Sequence, residues 1–241
     1  MTTISKQLSR IYITPGTHPV TSRLRNLTEI LAHLTGRHHA ADEVPGCPVV
    51  LALARYIAYP GPEGARQMLA PRLLAIAGSA NPPGMEWQRS LVLVDFLVRW
   101  HLPRRLREAA KTNSAPACDR FADLLRHGLD TIADDAGFMA AMTLLNGLSH
   151  TDIGQGKDFV TGISAAWERY YAMREHPIFA ANIGIDIIKG FLSAPLYPED
   201  AIGLLNRLLD VGPVQPLEVT PEIAQRIDEL VEITSAPVPA V

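Results

Sequence analysis

The sequence has little of what would support several common classes of protein. Its 241 residues include only two cysteines, Cys47 and Cys118, too few for a disulfide framework or a four-cysteine zinc site. No run approaches the roughly 18 uncharged apolar residues that a membrane-spanning helix requires. The opening residues, MTTISKQLSRIYITPG, lack the apolar segment of a secretory signal. We therefore expect a soluble protein of the cytoplasm that does not associate with a membrane.

Aromatic residues are also scarce, at 6%, and charged residues make up 20% of the chain. The hydrophobic fraction of 47% is nevertheless too high for an intrinsically disordered protein. Few aromatics together with 17 glycines predict a core of Ala, Leu, Ile and Gly, in which helices approach one another closely.

Two regions have little charge of one sign. The segment from Arg99 to Lys111 contains five cations and one acid, Glu108. From Glu199 to the end there are eight acids and only two arginines. Because the net charge is only -3, attraction between these regions is the preferred interpretation, and steering of a partner is the alternative. The acidic balance and the lack of a helix-turn-helix spacing argue against a nucleic-acid interface at Arg99–Arg107.

Helical periodicity dominates the chain, and prolines mark the starts of helices. Proline fits the first turn of a helix, and six prolines each precede a segment with apolar residues three or four positions apart: Pro62, Pro103, Pro116, Pro177, Pro198 and Pro221. Thr220 and Glu222 add a capping hydroxyl and an acid at one of these starts. The pattern predicts helices at about 20–35, 48–59, 62–77, 84–101, 103–112, 116–134, 136–149, 157–175, 177–194, 198–210 and 221–234.

These segments predict an all-α fold: a compact multi-helical bundle of about ten helices, with a short α-solenoid of helix pairs as the alternative. The strand-like fragment Ile11–Thr14 is too short to found a sheet. Pro71 is expected to kink or split the helix that contains it. Because no long linker interrupts the chain, we expect one domain over residues 1–241, with an N-terminal arm to about residue 19 and a flexible tail from about residue 235.

Glycines are predicted to have two roles. Gly36, Gly78 and Gly212 lie where left-handed C-caps would end helices. Glycines inside helices, such as Gly184 and Gly203, each cost on the order of 1 kcal/mol relative to alanine. Close contact between helices is the expected compensation, and a backbone left open for a ligand is the alternative.

The segment from His150 to Asp158 joins two apolar helices and contains candidate binding residues. Its glycines precede a predicted helix start, where backbone N–H groups beside Lys157 would hold a phosphate or a carboxylate. The spacing is not that of a Walker A loop. Within the segment, His150 is a candidate acid or base and Asp152 a candidate ligand-binding residue.

A polar stripe on the helix predicted at about 177–194 is the companion of that loop. An amine near a carboxylate in a partly dry cleft supports acid–base chemistry. We predict catalytic roles for His150, Asp186 and Lys189, and ligand-binding roles for Asp152, Lys157 and Asn182. The alternative for the stripe is an Asp186–Lys189 surface pair.

Two clusters have the residue types of a metal site but not its spacing. One lies in a loop and consists of His38, His39, Asp42 and Glu43; it matches no tetrahedral motif, and whether it binds a metal stays open. The other occupies the helix face opposite the apolar residues, as expected of a face in water, and consists of Asp119, Asp123, His127, Asp130 and Asp134. We assign no metal site and no cofactor.

The chain contains no nucleophile elbow and no HExxH, CxxC or GxGxxG motif. We therefore expect a helical interaction or accessory protein that acts through an exposed helix face, with a protein partner or a second copy of itself. The alternative is an enzyme or small-ligand binder whose interhelical cleft holds an anion. Loop 150–158 and the stripe at 182, 186 and 189 would form that cleft.

Overall fold

The fold is taken from a computed structural model of the chain. The structure describes residues 3–16, 25–37, 44, 46–62, 64–80, 85–101, 104, 177–190, 195–212 and 216–235. These residues form eight α-helices and no β-strand, which confirms the prediction of an all-α fold. The bundle of about ten helices and the solenoid alternative stay predictions.

In chain order the helices are α1 (Thr3–Leu8), α2 (Leu27–Leu34), α3 (Pro48–Ala58), α4 (Leu73–Ala77), α5 (Met85–Phe96), α6 (Pro177–Gly190), α7 (Pro198–Leu209) and α8 (Pro221–Ser235). A 3₁₀ helix at Arg66–Arg72 leads into α4, and a π-helix at Leu97–His101 follows α5. The helices predicted between about residues 103 and 175 lie outside the described residues, except for Arg104, which is helical.

The chain divides into two compact units. The first joins Met1–Pro82 to Tyr197–Val241, and the second is the continuous segment Pro83–Leu196. Helices α5 and α6 belong to the second unit, and the other described helices belong to the first. The single-domain assignment, with its arm and tail, stays a prediction.

Three prolines begin helices as predicted, whereas the helix predicted from residue 62 begins only at Arg66, as a 3₁₀ helix. Pro177, Pro198 and Pro221 are the first residues of α6, α7 and α8. At the start of α8, a hydrogen bond from the Thr220 side chain, followed by a backbone hydrogen bond, holds the pKa of the Glu222 carboxyl below its usual range. Pro71 lies inside the 3₁₀ helix that precedes α4, so the predicted interruption is confirmed.

The N-terminal region differs from the prediction at two places. Helix α1 has only six residues, too few to show a helical repeat in the sequence. The helix predicted from about residue 20 begins at Leu27, after a capping box. There Asn26 Oδ1 accepts the N–H of Glu29 at 2.9 Å, and Glu29 Oε2 accepts the N–H of Asn26 at 2.8 Å.

An extended segment, residues 11–16, follows α1 and forms no sheet, as predicted. Ile11 and Ile13 are buried while Tyr12 between them is half exposed. The Gln67 side chain replaces a strand partner, because its Oε1 accepts the N–H of Ile13 at 3.2 Å and its Nε2 donates to the Ile13 carbonyl at 2.8 Å. The N–H of Thr14 donates to the Arg25 carbonyl at 2.9 Å.

The glycine predictions have mixed outcomes at the ends of helices. Gly36 and Gly212 have φ angles of +69° and +79° after α2 and α7, so their left-handed conformations are confirmed. Gly78 follows α4 with a φ of -82°, so the left-handed prediction is wrong there. The Gly78 N–H instead donates to the Leu74 carbonyl, which ends the short helix without a positive φ.

Inside helices the glycines also differ from one another. The N–H of Gly184 donates to Ser90 Oγ at 3.1 Å, as expected where α6 packs closely on α5. Nothing lies within 4 Å of a Cβ built on Gly203, so the expected close contact is wrong for this residue of α7.

The core of the first unit is built around α3, on which Val49, Leu53 and Ile57 are fully buried. Helix α3 contacts α2, α4, α7 and the 3₁₀ helix, whereas α8 contacts α1 and α2. Polar contacts connect α8 to both helices. Gln7 Nε2 of α1 donates to Asp228 Oδ1 at 2.6 Å, and His33 Nε2 of α2 lies 3.1 Å from Glu229 Oε2. The first and last described helices are therefore neighbours in this unit.

Candidate functional site

The predicted stripe on α6 is present, and two of its members are paired. Lys189 Nζ donates to Asp186 Oδ1 at 2.9 Å, three positions apart along the helix. Asn182 and Asp186 are half-buried, whereas 67% of the Lys189 side chain is exposed. This geometry is that of the Asp186–Lys189 surface pair, the alternative interpretation of the stripe. The ligand-binding and catalytic roles stay predictions.

The other three predicted site residues, His150, Asp152 and Lys157, lie outside the described residues, as does the whole of loop 150–158. The predicted convergence of this loop with α6 is therefore untested. Both candidate metal clusters, at residues 38–43 and 119–134, also lie outside the described part of the chain. Among the residues that are described, no group of three or more His, Cys, Asp or Glu side chains is arranged to hold a metal ion.

The basic segment that follows α5 is described only in part. Trp100 is 65% exposed and Arg104 is exposed, whereas Arg105 and Arg107 lie outside the described residues. His101, at the end of the π-helix, is buried and stacks on Phe96 with the ring centroids 6.3 Å apart.

Helix α5 carries a buried cation that the sequence reasoning missed. Arg89 is fully buried, and so is Ser90, whose Oγ accepts the N–H of Gly184 on α6. Helical spacing places Arg89 on the same face as Leu93 and Phe96, which are also buried. This spacing is the sequence signal for Arg89, because it places a charged residue within an apolar helix face. Charged residues are rarely buried without a specific reason.

A second arrangement that the sequence reasoning missed is a surface cleft of about 220 Å³ in the first unit. Its described lining comes from the extended segment, the start of α2 and the end of α3, and consists of Thr14, Gly16, Asn26, Leu27, Thr28, Arg55, Ala58 and Tyr59. We call it the α2–α3 cleft.

Local sequence signals shape each wall of the α2–α3 cleft. On one side, the capping box fixes the first turn of α2, and Asn26 Nδ2 donates to the Gly16 carbonyl at 2.9 Å. On the other side, α3 ends at Ala58 because Pro60 disfavours a helical conformation of the residue before it. Tyr59 is extended there, with a ψ of 129°, and 63% of its surface is exposed.

Arg55 is the one charged residue in the described lining of the α2–α3 cleft. Arg55 supplies a guanidinium, Thr14 and Thr28 supply hydroxyls, and none of the described lining residues is an acid. Glu29 lies one residue beyond the lining, and its carboxylate is bonded to the Asn26 backbone. Guanidinium and hydroxyl groups are hydrogen-bond donors that suit an anion.

Two exposed apolar residues, Tyr12 and Met68, are linked to the cleft through the extended segment. Tyr12 is 50% exposed and is two residues from Thr14, which lines the cleft. Met68 is 43% exposed and follows Gln67, whose side chain binds the Ile13 backbone. The extended segment thus connects the cleft to two further exposed hydrophobic residues.

No protein-family model matches this chain, and no curated protein or solved structure matches it significantly. Among the described helices, none combines the length and the apolar character needed to cross a membrane.

Proposed function

We propose that this chain is a helical interaction protein that binds a protein partner through the surface around the α2–α3 cleft. The observation that carries the proposal is the exposure of Tyr59 at the rim of that cleft. Tyrosine, arginine and methionine are enriched at the centres of protein–protein interfaces, where a few such side chains supply most of the binding energy. Tyr59, Arg55, Tyr12 and Met68 are residues of these three types.

Rigidity also supports an interaction role for this surface. The capping box fixes the start of α2, and the Gln67 amide holds the backbone of Ile13 beside Tyr12. Side chains on a fixed backbone lose less conformational entropy when a partner binds. The proposed surface differs from the expected single helix face, because it combines two helix ends with an extended segment.

The proposal is tested by replacing Tyr59 with alanine and comparing partner capture with the wild-type chain. Tyr59→Ala is expected to lower capture at least tenfold, since truncation of a central interface residue costs about 2 kcal/mol or more. The matched control is Val219→Ala, an exposed apolar residue outside the cleft lining. Quantitative co-purification from the source cells measures a protein partner, and sedimentation velocity measures self-association. Equal association by wild type and Tyr59→Ala in both measurements would contradict the proposal.

The small-ligand alternative on α6 stays a second candidate, and one observation favours it. Asn182 and Asp186 are half-buried on a helix that packs against α5, which carries the fully buried Arg89. Charged side chains are rarely buried unless they have a specific partner or role. In this candidate Lys189 or Lys157 would hold an anion, with Asp186 or His150 as the acid or base. Titration calorimetry with inorganic phosphate tests it, and heat that is unchanged in Lys189→Gln would contradict a role for Lys189.

A further inference from the structure

We propose that residues 236–241, which follow α8, bind in an extended conformation across the exposed side chains of Tyr12 and Met68 of the same chain. We call these residues the Pro-Val-Pro segment. The contacts lie within one chain, so they do not depend on a partner protein and go beyond the proposed function.

The end of α8 lies beside Tyr12. Thr234, in the last turn of α8, accepts the N–H of Tyr12 with its Oγ1 at 3.1 Å and donates to the Leu230 carbonyl at 2.8 Å. Helix α8 ends at Ser235. The Pro-Val-Pro segment therefore begins two residues after the one that contacts Tyr12.

Two prolines favour an extended conformation of the Pro-Val-Pro segment. Pro237 and Pro239 fix their own φ at about -65°, and each also disfavours the helical region for the residue before it, Ala236 and Val238. Such a sequence favours polyproline II, in which six residues at about 3.1 Å each span roughly 19 Å. A segment with a pre-set conformation loses little conformational entropy when it binds.

The Pro-Val-Pro segment contains no polar or charged side chain. It consists of two alanines, two prolines and two valines, whereas α8 before it carries four acids. Segments that remain solvated are usually polar or charged, and apolar side chains gain free energy when they leave water. The composition therefore favours contact with an apolar surface.

Tyr12 and Met68 provide an apolar surface next to the end of α8. Tyr12 is 50% exposed and Met68 is 43% exposed. The Gln67 amide binds both the N–H and the carbonyl of Ile13, at 3.2 and 2.8 Å. Tyr12 precedes Ile13 and Met68 follows Gln67, so only these two hydrogen-bonded residues separate them, a span within the reach of the segment. Proline-rich segments bind aromatic rings, and methionine adapts its shape to a ligand.

The covalent connection to α8 favours this segment over a proline-rich segment of another protein. A short connection gives an effective concentration in the millimolar range. A free peptide with a Kd of about 1 mM is mostly dissociated at micromolar concentrations, whereas the same contact within one chain is formed roughly half of the time.

The test places the photo-crosslinking residue p-benzoylphenylalanine at single positions of the full chain. In Tyr12→p-benzoylphenylalanine, illumination is expected to join position 12 to residues 236–241, and fragmentation of the crosslinked peptides by mass spectrometry locates the bond. Met68→p-benzoylphenylalanine is expected to give crosslinks to the same residues, and it replaces the first variant if that one fails to fold.

The matched control is Val219→p-benzoylphenylalanine. Val219 is 38% exposed but precedes the opposite end of α8, whose 15 residues span about 22 Å. Its crosslinks to residues 236–241 are expected to be at least roughly tenfold fewer, because the segment is too short to reach it.

The prolines are tested in the same Tyr12 crosslinking variant. The double substitution Pro237→Gly/Pro239→Gly is expected to lower the crosslink yield roughly threefold or more, because the free segment gains conformations that it must lose on binding. Ala240→Gly adds a glycine but keeps both prolines, and it is expected to lower the yield less than about twofold.

Three results would overturn this site: crosslinks from position 12 that end only on α8 residues such as Thr234, crosslinks that join two chains, and a yield unaffected by loss of the prolines. Each is read without a partner, so each leaves the interaction function standing. Conversely, unchanged association of Tyr59→Ala contradicts the interaction function and leaves the crosslink to residues 236–241 as expected.

Discussion

At the scale of single residues, Gly203 lies inside α7 with open space where a side chain would be. Gly203 has neither a positive φ nor a close neighbour that would require glycine. Nothing in its surroundings therefore offsets the backbone entropy that a glycine loses on folding. Gly203→Ala is therefore expected to stabilise the protein by about 0.5–1 kcal/mol, measured as the free energy of unfolding in urea.

Gly36 is the matched control for that substitution. Its φ is +69°, and a Cβ there would lie 2.6 Å from a guanidinium nitrogen of Arg226. Gly36→Ala is expected to destabilise the protein by about 1 kcal/mol, because alanine is strained in the left-handed region. Equal changes in the free energy of unfolding for the two substitutions would show that backbone conformation does not determine the effect of alanine at these glycines.

At the scale of elements, the Gln67 side chain connects the 3₁₀ helix to the extended segment. It satisfies both the N–H and the carbonyl of the buried Ile13. Gln67→Leu is expected to destabilise the protein by about 1–3 kcal/mol, because the paired backbone groups lose their partner without reaching water. Chemical unfolding gives the magnitude, and faster hydrogen exchange at the Ile13 amide gives the location.

Gln225 provides the control for Gln67. It is exposed on α8, and its Nε2 donates to Glu229 one turn along the same helix. Gln225→Leu is expected to change stability by less than about 0.5 kcal/mol, since helical surface pairs contribute little. If Gln67→Leu lowers the free energy of unfolding by no more than Gln225→Leu does, the role given to Gln67 is contradicted.

Elements are predictable where the signal is local. Pro198 and Pro221 begin helices and Pro71 interrupts one, because each acts on its own turn of backbone. The predicted start of α2 lies too early because the apolar pattern extends upstream of the Asn26–Glu29 capping box, which sets the true start.

The candidate site is less predictable because it is assembled from distant parts of the chain. Thr14, Asn26 and Arg55 line one cleft, yet they belong to three elements with no shared spacing. The helical spacing places Arg89 on an apolar face, but whether that face is covered depends on the packing of α5. Sequence periodicity identifies the apolar face of a helix, but it does not identify the element that packs on that face.

At the scale of the whole molecule, the N-terminal residues complete the first unit. Leu8, Ile11 and Ile13 are buried, and α1 contacts both α8 and the 3₁₀ helix. Deletion of residues 1–16 is expected to cost several kcal/mol, since each buried Leu or Ile contributes about 1.5–3 kcal/mol. A loss of that size approaches the whole stability of a typical domain.

Hydrogen exchange followed by mass spectrometry measures the effect of the deletion. Amides of α2, α3 and α8 are expected to lose protection in the deletion variant. Removal of residues 236–241, which lie beyond the end of α8 and outside the described residues, is the control and is expected to leave protection unchanged. Unchanged protection of α8 after loss of α1 would show that the N-terminal residues are dispensable for this unit.

The hydrogen bond between Gln7 and Asp228 joins residues that are 221 positions apart. On the ribosome, at about 5–20 residues per second, the interval between the synthesis of these two residues is roughly 10–40 seconds. Throughout that time the apolar faces of α1 and α2 lack α8, while the continuous segment of the second unit is synthesised in full. The first unit therefore buries these apolar faces only after the second unit has been synthesised.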